Sequence, residues 1–223
     1  MFKNAQLLAS DSDNLPTFKQ QRLLGAIAVL LVISLLSSAG GSPIEHYVTN
    51  IWEGLIWGIA DPVISLDRFV SILALGLYSA RFASSHWLNI TFVIAAICGQ
   101  LINLSPVMLP APAIVIAIST IVIGAMLLTQ ISINWLAIAI FSAIAGIFQG
   151  YADATYIIGA ETFTAITYII GVALSQTVII LSAREIGLTF ALNEINQILP
   201  KIIRFAALAF CAIGIVFLGY SFI

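Results

Sequence analysis

The chain has 223 residues, 61% of them hydrophobic and 8% charged, whereas a soluble domain of this size carries about 25% charged residues. Eight lysines and arginines against ten acids give a net charge of −2, which excludes a nucleic-acid binder working through a basic surface. What remains is an integral membrane protein whose first partner is the lipid bilayer.

A helix needs about 20 mostly apolar residues to cross the hydrocarbon core. On that basis residues 1–22 form an N-terminal leader bearing both charge signs, and 23–40 form the first predicted span. This span ends in Ser37-Ser38-Ala39-Gly40, which resembles a signal-peptidase site, so it reads as a retained helix or as a cleaved segment. A half-inserted stretch near 47–60 follows, with Trp52 and Trp57 at a depth that suits indole rings. Further spans are predicted at 63–82, 87–104, 112–129, 133–150, 156–182 and 202–222. The apolar runs are continuous and do not alternate, which argues against a β-barrel. The expected fold class is all-α, a polytopic transmembrane helix bundle of six to seven spans, with 47–223 as one unit.

Basic residues give the orientation. With a cytoplasmic N-terminus, Lys3, Lys19, Arg22, Arg81, Arg184, Lys201 and Arg204 all fall on the cytoplasmic side, and Arg68 alone lies within a span. The membrane is then a bacterial cytoplasmic membrane or an internal one such as a thylakoid. Gly146 and Gly150 make a GxxxG face, and Gly171 with Ser175 continues the small-residue theme, as helix packing in lipid requires. Cys98 and Cys211 lie in apolar runs without a spacing for zinc, haem or redox chemistry. His46 in an outer segment and His86 in a cytoplasmic turn read more simply as exposed or satisfied side chains than as ligands.

An ionisable group inside the membrane costs at least about 2.5–3.5 kcal/mol, which makes each one a functional candidate. Asp61, Asp67, Arg68, Asp153 and Glu161 qualify, and all five are expected toward the outer half of the bilayer. Two distant segments, 61–68 and 153–161, thus bring polar groups to one depth and are expected to share a pocket. Each residue also has an ordinary role. Asp61 before Pro62 has the form of a helix N-cap with proline at the first helical position. Asp67 and Arg68 are sequence neighbours and point in different directions on a helix. Arg68 can reach to the interface or sideways to a carboxylate on another helix. Asp153 reads equally as a solvated loop residue. Glu161 is surrounded by Ile157, Ile158 and Phe163, and Gln100, Asn103, Gln149 and Gln176 are further polar residues of the same region.

The stretch Gly54-Leu55-Ile56-Trp57-Gly58-Ile59-Ala60-Asp61-Pro62, continuing to Leu66-Asp67-Arg68 and Leu73-Ala74-Leu75-Gly76-Leu77, resembles the first signature of the HupE/UreJ family. There the pattern is Gly-Leu-x-His-Pro followed by Leu-Asp-His. Gly146-Ile147-Phe148-Gln149-Gly150-Tyr151-Ala152-Asp153 with Gly159-Ala160-Glu161 is similar to the second signature, Phe/Leu-His-Gly-Tyr-Ala ending in Gly-Ala-Glu. The resemblance implies a small membrane permease for nickel or cobalt, tied to hydrogenase, urease or cobalamin metabolism. It places metal handling at Asp61, Asp67, Arg68 and Gln149, with Glu161 in support. Asp61, Arg68 and Gln149 stand where the signatures have histidine, and Thr155 stands at a position often acidic in relatives.

Nickel and cobalt favour imidazole nitrogen, and a guanidinium cannot ligate because it stays protonated. Two readings follow. Asp61, Asp67, Gln149, Asp153 and Glu161 form an all-oxygen site for a divalent cation, of the kind that suits magnesium, calcium or manganese. Alternatively Arg68 is a tethered surrogate for the metal, and the chain is a non-transporting subunit that binds membrane protein partners or copies of itself. An enzyme is not expected, since no nucleophile–base pair is present. No nucleotide loop of the Gly-x-x-x-x-Gly-Lys-Ser/Thr form occurs either, and no cofactor beyond a bound divalent metal ion is expected.

Overall fold

The computed structural model describes residues 15–38, 47–82, 85–129, 134–192 and 199–222. It is all-α: helices α1 (Leu15–Ser38), α2 (Ile51–Ile64), α3 (Leu66–Ser79), α4 (Ser85–Asn103), α5 (Pro112–Thr129), α6 (Trp135–Asp153), α7 (Thr162–Leu192) and α8 (Leu199–Tyr220). A 3₁₀ turn, Ala154–Ile157, links α6 to α7, and no strand occurs among the described residues. Windows within α4, α5, α7 and α8, and α6 with its 3₁₀ extension, are long and apolar enough to cross a bilayer. They match the spans expected at 87–104, 112–129, 133–150, 156–182 and 202–222. The chain is an integral membrane protein.

The predicted span 63–82 is corrected by the structure. The helix breaks at Ser65, whose φ and ψ of −81° and 106° are extended, leaving α2 and α3 with 14 residues each. Each is about 21 Å long, short of the roughly 30 Å hydrocarbon core. They nevertheless run in one direction along α7. Gly54 abuts Thr164, Gly58 abuts Tyr168, Gly76 abuts Ile180, and Gly187 of α7 abuts Leu77. The two short helices and α7 are therefore parallel, with the half-buried break part-way along.

Pro62 explains part of the break, since it offers no N–H to the carbonyl of Gly58 and its ring crowds that carbonyl. The expectation that Asp61 caps a helix starting at Pro62 is not met: both lie in the closing turn of α2. Asn50 is the actual cap. Its side chain accepts from the N–H of Glu53 at 2.9 Å, and the Glu53 carboxylate takes the backbone N–H and hydroxyl of Thr49 at 2.9 and 2.6 Å. This capping starts the helix eleven residues earlier than the Asp-Pro signal suggested.

The other boundary differences are smaller. Helix α1 begins at Leu15, inside the predicted leader, and the span expected from 156 begins at Thr162. Between them, Gly159 takes φ +82°, which a residue with a side chain seldom adopts. Lys3, Ala39, Gly40 and His46 lie outside the described residues.

Helix α3 is the centre of the bundle and touches α1, α2, α4, α5, α7 and α8. It is buried on nearly every side, through Phe69, Val70, Ile72, Ala74 and Leu75. Around it, α4 pairs with α6, α2 with α7, and α5 with α8. At the end of α3, Arg81 donates to the carbonyls of Met126 and Leu127 at 3.0 and 2.9 Å, closing the C-terminus of α5 with a cation.

Candidate functional site

The first turn of α3 carries Arg68 into the interior. A helix enclosed on all sides leaves a guanidinium no route to water, so it has to be paired where it sits. Arg68 is 8% exposed, and its Nη1 meets Oδ1 of Asp153, which is fully buried, at 2.9 Å. Its Nη2 donates to the carbonyl of Ala152 at 3.2 Å. Both partners belong to the last turn of α6, where unpaired carbonyls and the negative end of the helix dipole favour a cation. The ring of Tyr156 lies 5.8 Å from the guanidinium carbon, close enough for a cation–π contact.

Three further groups complete the cluster. Gln176 of α7 donates from Nε2 to the second carboxylate oxygen of Asp153 at 3.1 Å. Gln149, one turn before Asp153 and fully buried, directs Nε2 at the backbone carbonyl of Arg68, a long contact of 3.5 Å. The hydroxyl of Tyr168 lies 2.5 Å from Oδ2 of Asp61 and 2.9 Å from the carbonyl of Asp153, so one proton serves two acceptors. Asp61 is 3% exposed in the last turn of α2. Four helices are thus tied together at one depth.

Of the expected site residues, the structure brings together Asp61, Arg68, Gln149 and Asp153. Asp67 is half-buried at their edge, near enough for its charge to act on Arg68 and Asp153. Asp153 is a buried partner and not a solvated loop residue. Glu161 is not part of the cluster, against the expectation of a shared pocket with Asp67. It is exposed just before α7, where its carbonyl accepts from Ala165 at 2.9 Å and its charge suits the helix N-terminus. Gln176 joins, whereas Asn103 bonds the carbonyl of Tyr151 and Gln100 is buried without a partner among the described residues.

Tyr168 is the member that sequence reasoning missed. A tyrosine within an apolar span has to find a partner for its hydroxyl, and that signal was available. Tyr168→Phe is expected to cost about 1–3 kcal/mol, because two buried acceptors lose their shared donor. Thermal unfolding of the purified protein in mild detergent reads the loss.

Chemically the cluster balances one cation against acids without an exposed nucleophile. No group of three or more histidine, cysteine, aspartate or glutamate side chains is placed to hold a metal ion among the described residues. A search of curated proteins and a search of solved structures each return no match. A family model described as HupE / UreJ protein matches residues 29–217. That match takes in both signatures and every residue of the cluster, from Asp61 at the end of α2 to Gln176 in α7, and the chain belongs to the HupE/UreJ family.

Proposed function

We propose that the chain is a non-transporting membrane subunit built on the HupE/UreJ bundle, in which Arg68 takes the place of a bound dication. The observation that carries this is the ion pair itself: Arg68 turns inward to Asp153 at 2.9 Å, with both side chains buried. A guanidinium is permanently charged and donates only, so it neutralises the acid and repels a second cation from the same space. The signatures' histidines are replaced at all three matching positions, by Asp61, Arg68 and Gln149. Without a cargo, the bundle acts through what binds it in the membrane, either protein partners or further copies of the chain.

The family's transport of nickel or cobalt gives the second reading, a permease with an all-oxygen site. It draws on the excess of acid, since Asp61, Asp67 and Asp153 face one arginine. Metal uptake in cells separates the two. The native chain is expected to take up neither nickel nor cobalt, and Arg68→His is expected to create uptake by restoring an imidazole. Native uptake that Asp67→Ala abolishes would overturn the subunit reading in favour of the permease. Stoichiometric partners co-purifying from native membranes would support the subunit.

In the same proposal the chain crosses the membrane seven times, with α2 and α3 making one broken crossing. Helix α1 is retained, as the burial of Ser34 and the packing of Ile27, Leu30 and Leu31 against the core suggest. Arg81, Arg184 and Arg204 gather at one end of the bundle, which the positive-inside rule assigns to the cytoplasm of a bacterial or thylakoid membrane.

A further inference from the structure

A second polar feature lies at the opposite end of the bundle from the ion pair. Helices α4 and α7 line a half-open cavity of about 290 Å³ at the end that carries Arg81, Arg184 and Arg204. Its walls are aliphatic, with Val93 and Leu181 among isoleucines, apart from His86, Asn89 and Thr177. The hydroxyl of Thr177 is already used, donating to the carbonyl of Ala173 at 2.7 Å. Asn89 differs. It is 5% exposed, and neither its Nδ2 nor its Oδ1 has a partner among the described residues.

A buried amide with both ends unpaired is costly, and a leucine of similar volume would avoid that cost. The asparagine therefore calls for a hydrogen-bonding partner from outside the chain. The cavity lies between two membrane-crossing helices, so the bilayer supplies what enters it. Its mouth lies beside the start of α4. His86 is exposed in the first turn of α4, where unpaired backbone N–H groups form the positive end of the helix. Arg184 follows Thr177 and Leu181 at helical spacing on the same face of α7, sharing its charge with Glu185 at 3.0 Å. Basic pockets between spans on the cytoplasmic side are the usual setting for acidic headgroups.

We propose that this cavity is a binding site for one anionic glycerophospholipid of the adjoining leaflet. An acyl chain lies between α4 and α7, Nδ2 of Asn89 donates to a glycerol ester carbonyl, and the phosphate sits at the mouth beside His86 and the start of α4. The site is independent of whether any metal crosses the bundle.

Native mass spectrometry of the full chain in mild detergent, titrated with phosphatidylglycerol or phosphatidylcholine, tests this. One tightly held phosphatidylglycerol per chain is expected, with phosphatidylcholine about fivefold weaker for want of a net charge. Asn89→Leu keeps the volume and is expected to weaken phosphatidylglycerol about fivefold, the worth of one hydrogen bond. Leu181→Trp, which fills the cavity, is expected to abolish the adduct. Added phosphatidylglycerol is further expected to raise the unfolding temperature of the native chain and not that of Asn89→Leu. Equal retention of the two lipids, or undiminished retention by Asn89→Leu, would overturn the proposal and leave only non-specific boundary lipid.

Discussion

Arg68→Met is expected to cost about 3–5 kcal/mol of folding stability, the range for breaking a buried ion pair from one side. The loss comes less from the missing bond than from what stays behind. Asp153 is fully buried, and after the substitution its charge faces only the amide of Gln176 and the neighbouring acids Asp61 and Asp67. Removing both charges together, as Arg68→Met with Asp153→Leu, is expected to recover most of the loss, since packed apolar side chains often replace a buried pair at no cost. Recovery should be incomplete, because the carbonyl of Ala152 and Nε2 of Gln176 would each lose a partner. A double-mutant cycle on unfolding in detergent therefore reads a coupling of at least about 2 kcal/mol. Arg68→Lys is not a conservative control, because one ammonium cannot reproduce the fork that reaches Asp153 and Ala152 at once. If Arg68→Met unfolds within about 0.5 kcal/mol of the native chain, the ion pair is not what fills the site, and the surrogate-cation reading fails with it.

The same pair shows how far the sequence carries. Composition and run length are enough for an all-α membrane bundle, because lipid leaves only helices or closed barrels to satisfy a backbone. Five spans were legible for that reason. The site was legible as a set of ionisable residues that do not belong in lipid, but not as a geometry. Whether Arg68 reaches the interface or turns inward depends on what surrounds α3, and the sequence of α3 alone looks like any amphipathic span. Glu161 was misjudged because apolar neighbours in sequence are not neighbours in space at a helix start. Its side chain escapes where Asp153, at a helix end under a 3₁₀ turn, cannot. The break at Ser65 was hidden by a local rule with two readings. Asp-Pro opens many helices, but here the Asn50–Glu53 pairing had already started one, and Pro62 helps to end it. Tyr168 is legible as a tyrosine in need of a partner, but not which partner, since Asp61 and Asp153 lie 107 and 15 residues away.

Gly150→Ala should show how tightly the site depends on bundle packing. A Cβ at this position would lie 1.9 Å from the carbonyl oxygen of Ala96 and 2.6–2.7 Å from its carbonyl carbon and Cα, all backbone atoms that no rotamer change can move. The contact is reciprocal, since a Cβ on Gly99 of α4 would meet the carbonyl of Ile147 at 2.0 Å, and one on Gly146 would meet that of Phe92 at 2.5 Å. Helices α4 and α6 therefore touch backbone to backbone over two turns, the close approach that small residues permit in lipid. Forcing them apart is expected to cost about 3 kcal/mol, the upper part of the usual range for overpacking. Only about 1 kcal/mol of that is offset by the better helix propensity of alanine. Gly219→Ala in α8, where nothing lies within 4 Å of an added Cβ, is the matched control and is expected to be neutral or mildly stabilising. The consequence for the site is specific. Asp153 follows Gly150 by three residues, about 4.5 Å along the same helix, so displacing α6 from α4 shifts the carboxylate against Arg68. In the Gly150→Ala background, Arg68→Met should then cost less than it does in the native chain, because the pair it breaks is already strained. If the two losses simply add, the glycine seam and the ion pair are separate features, and the bundle does not hold the site in place through α6.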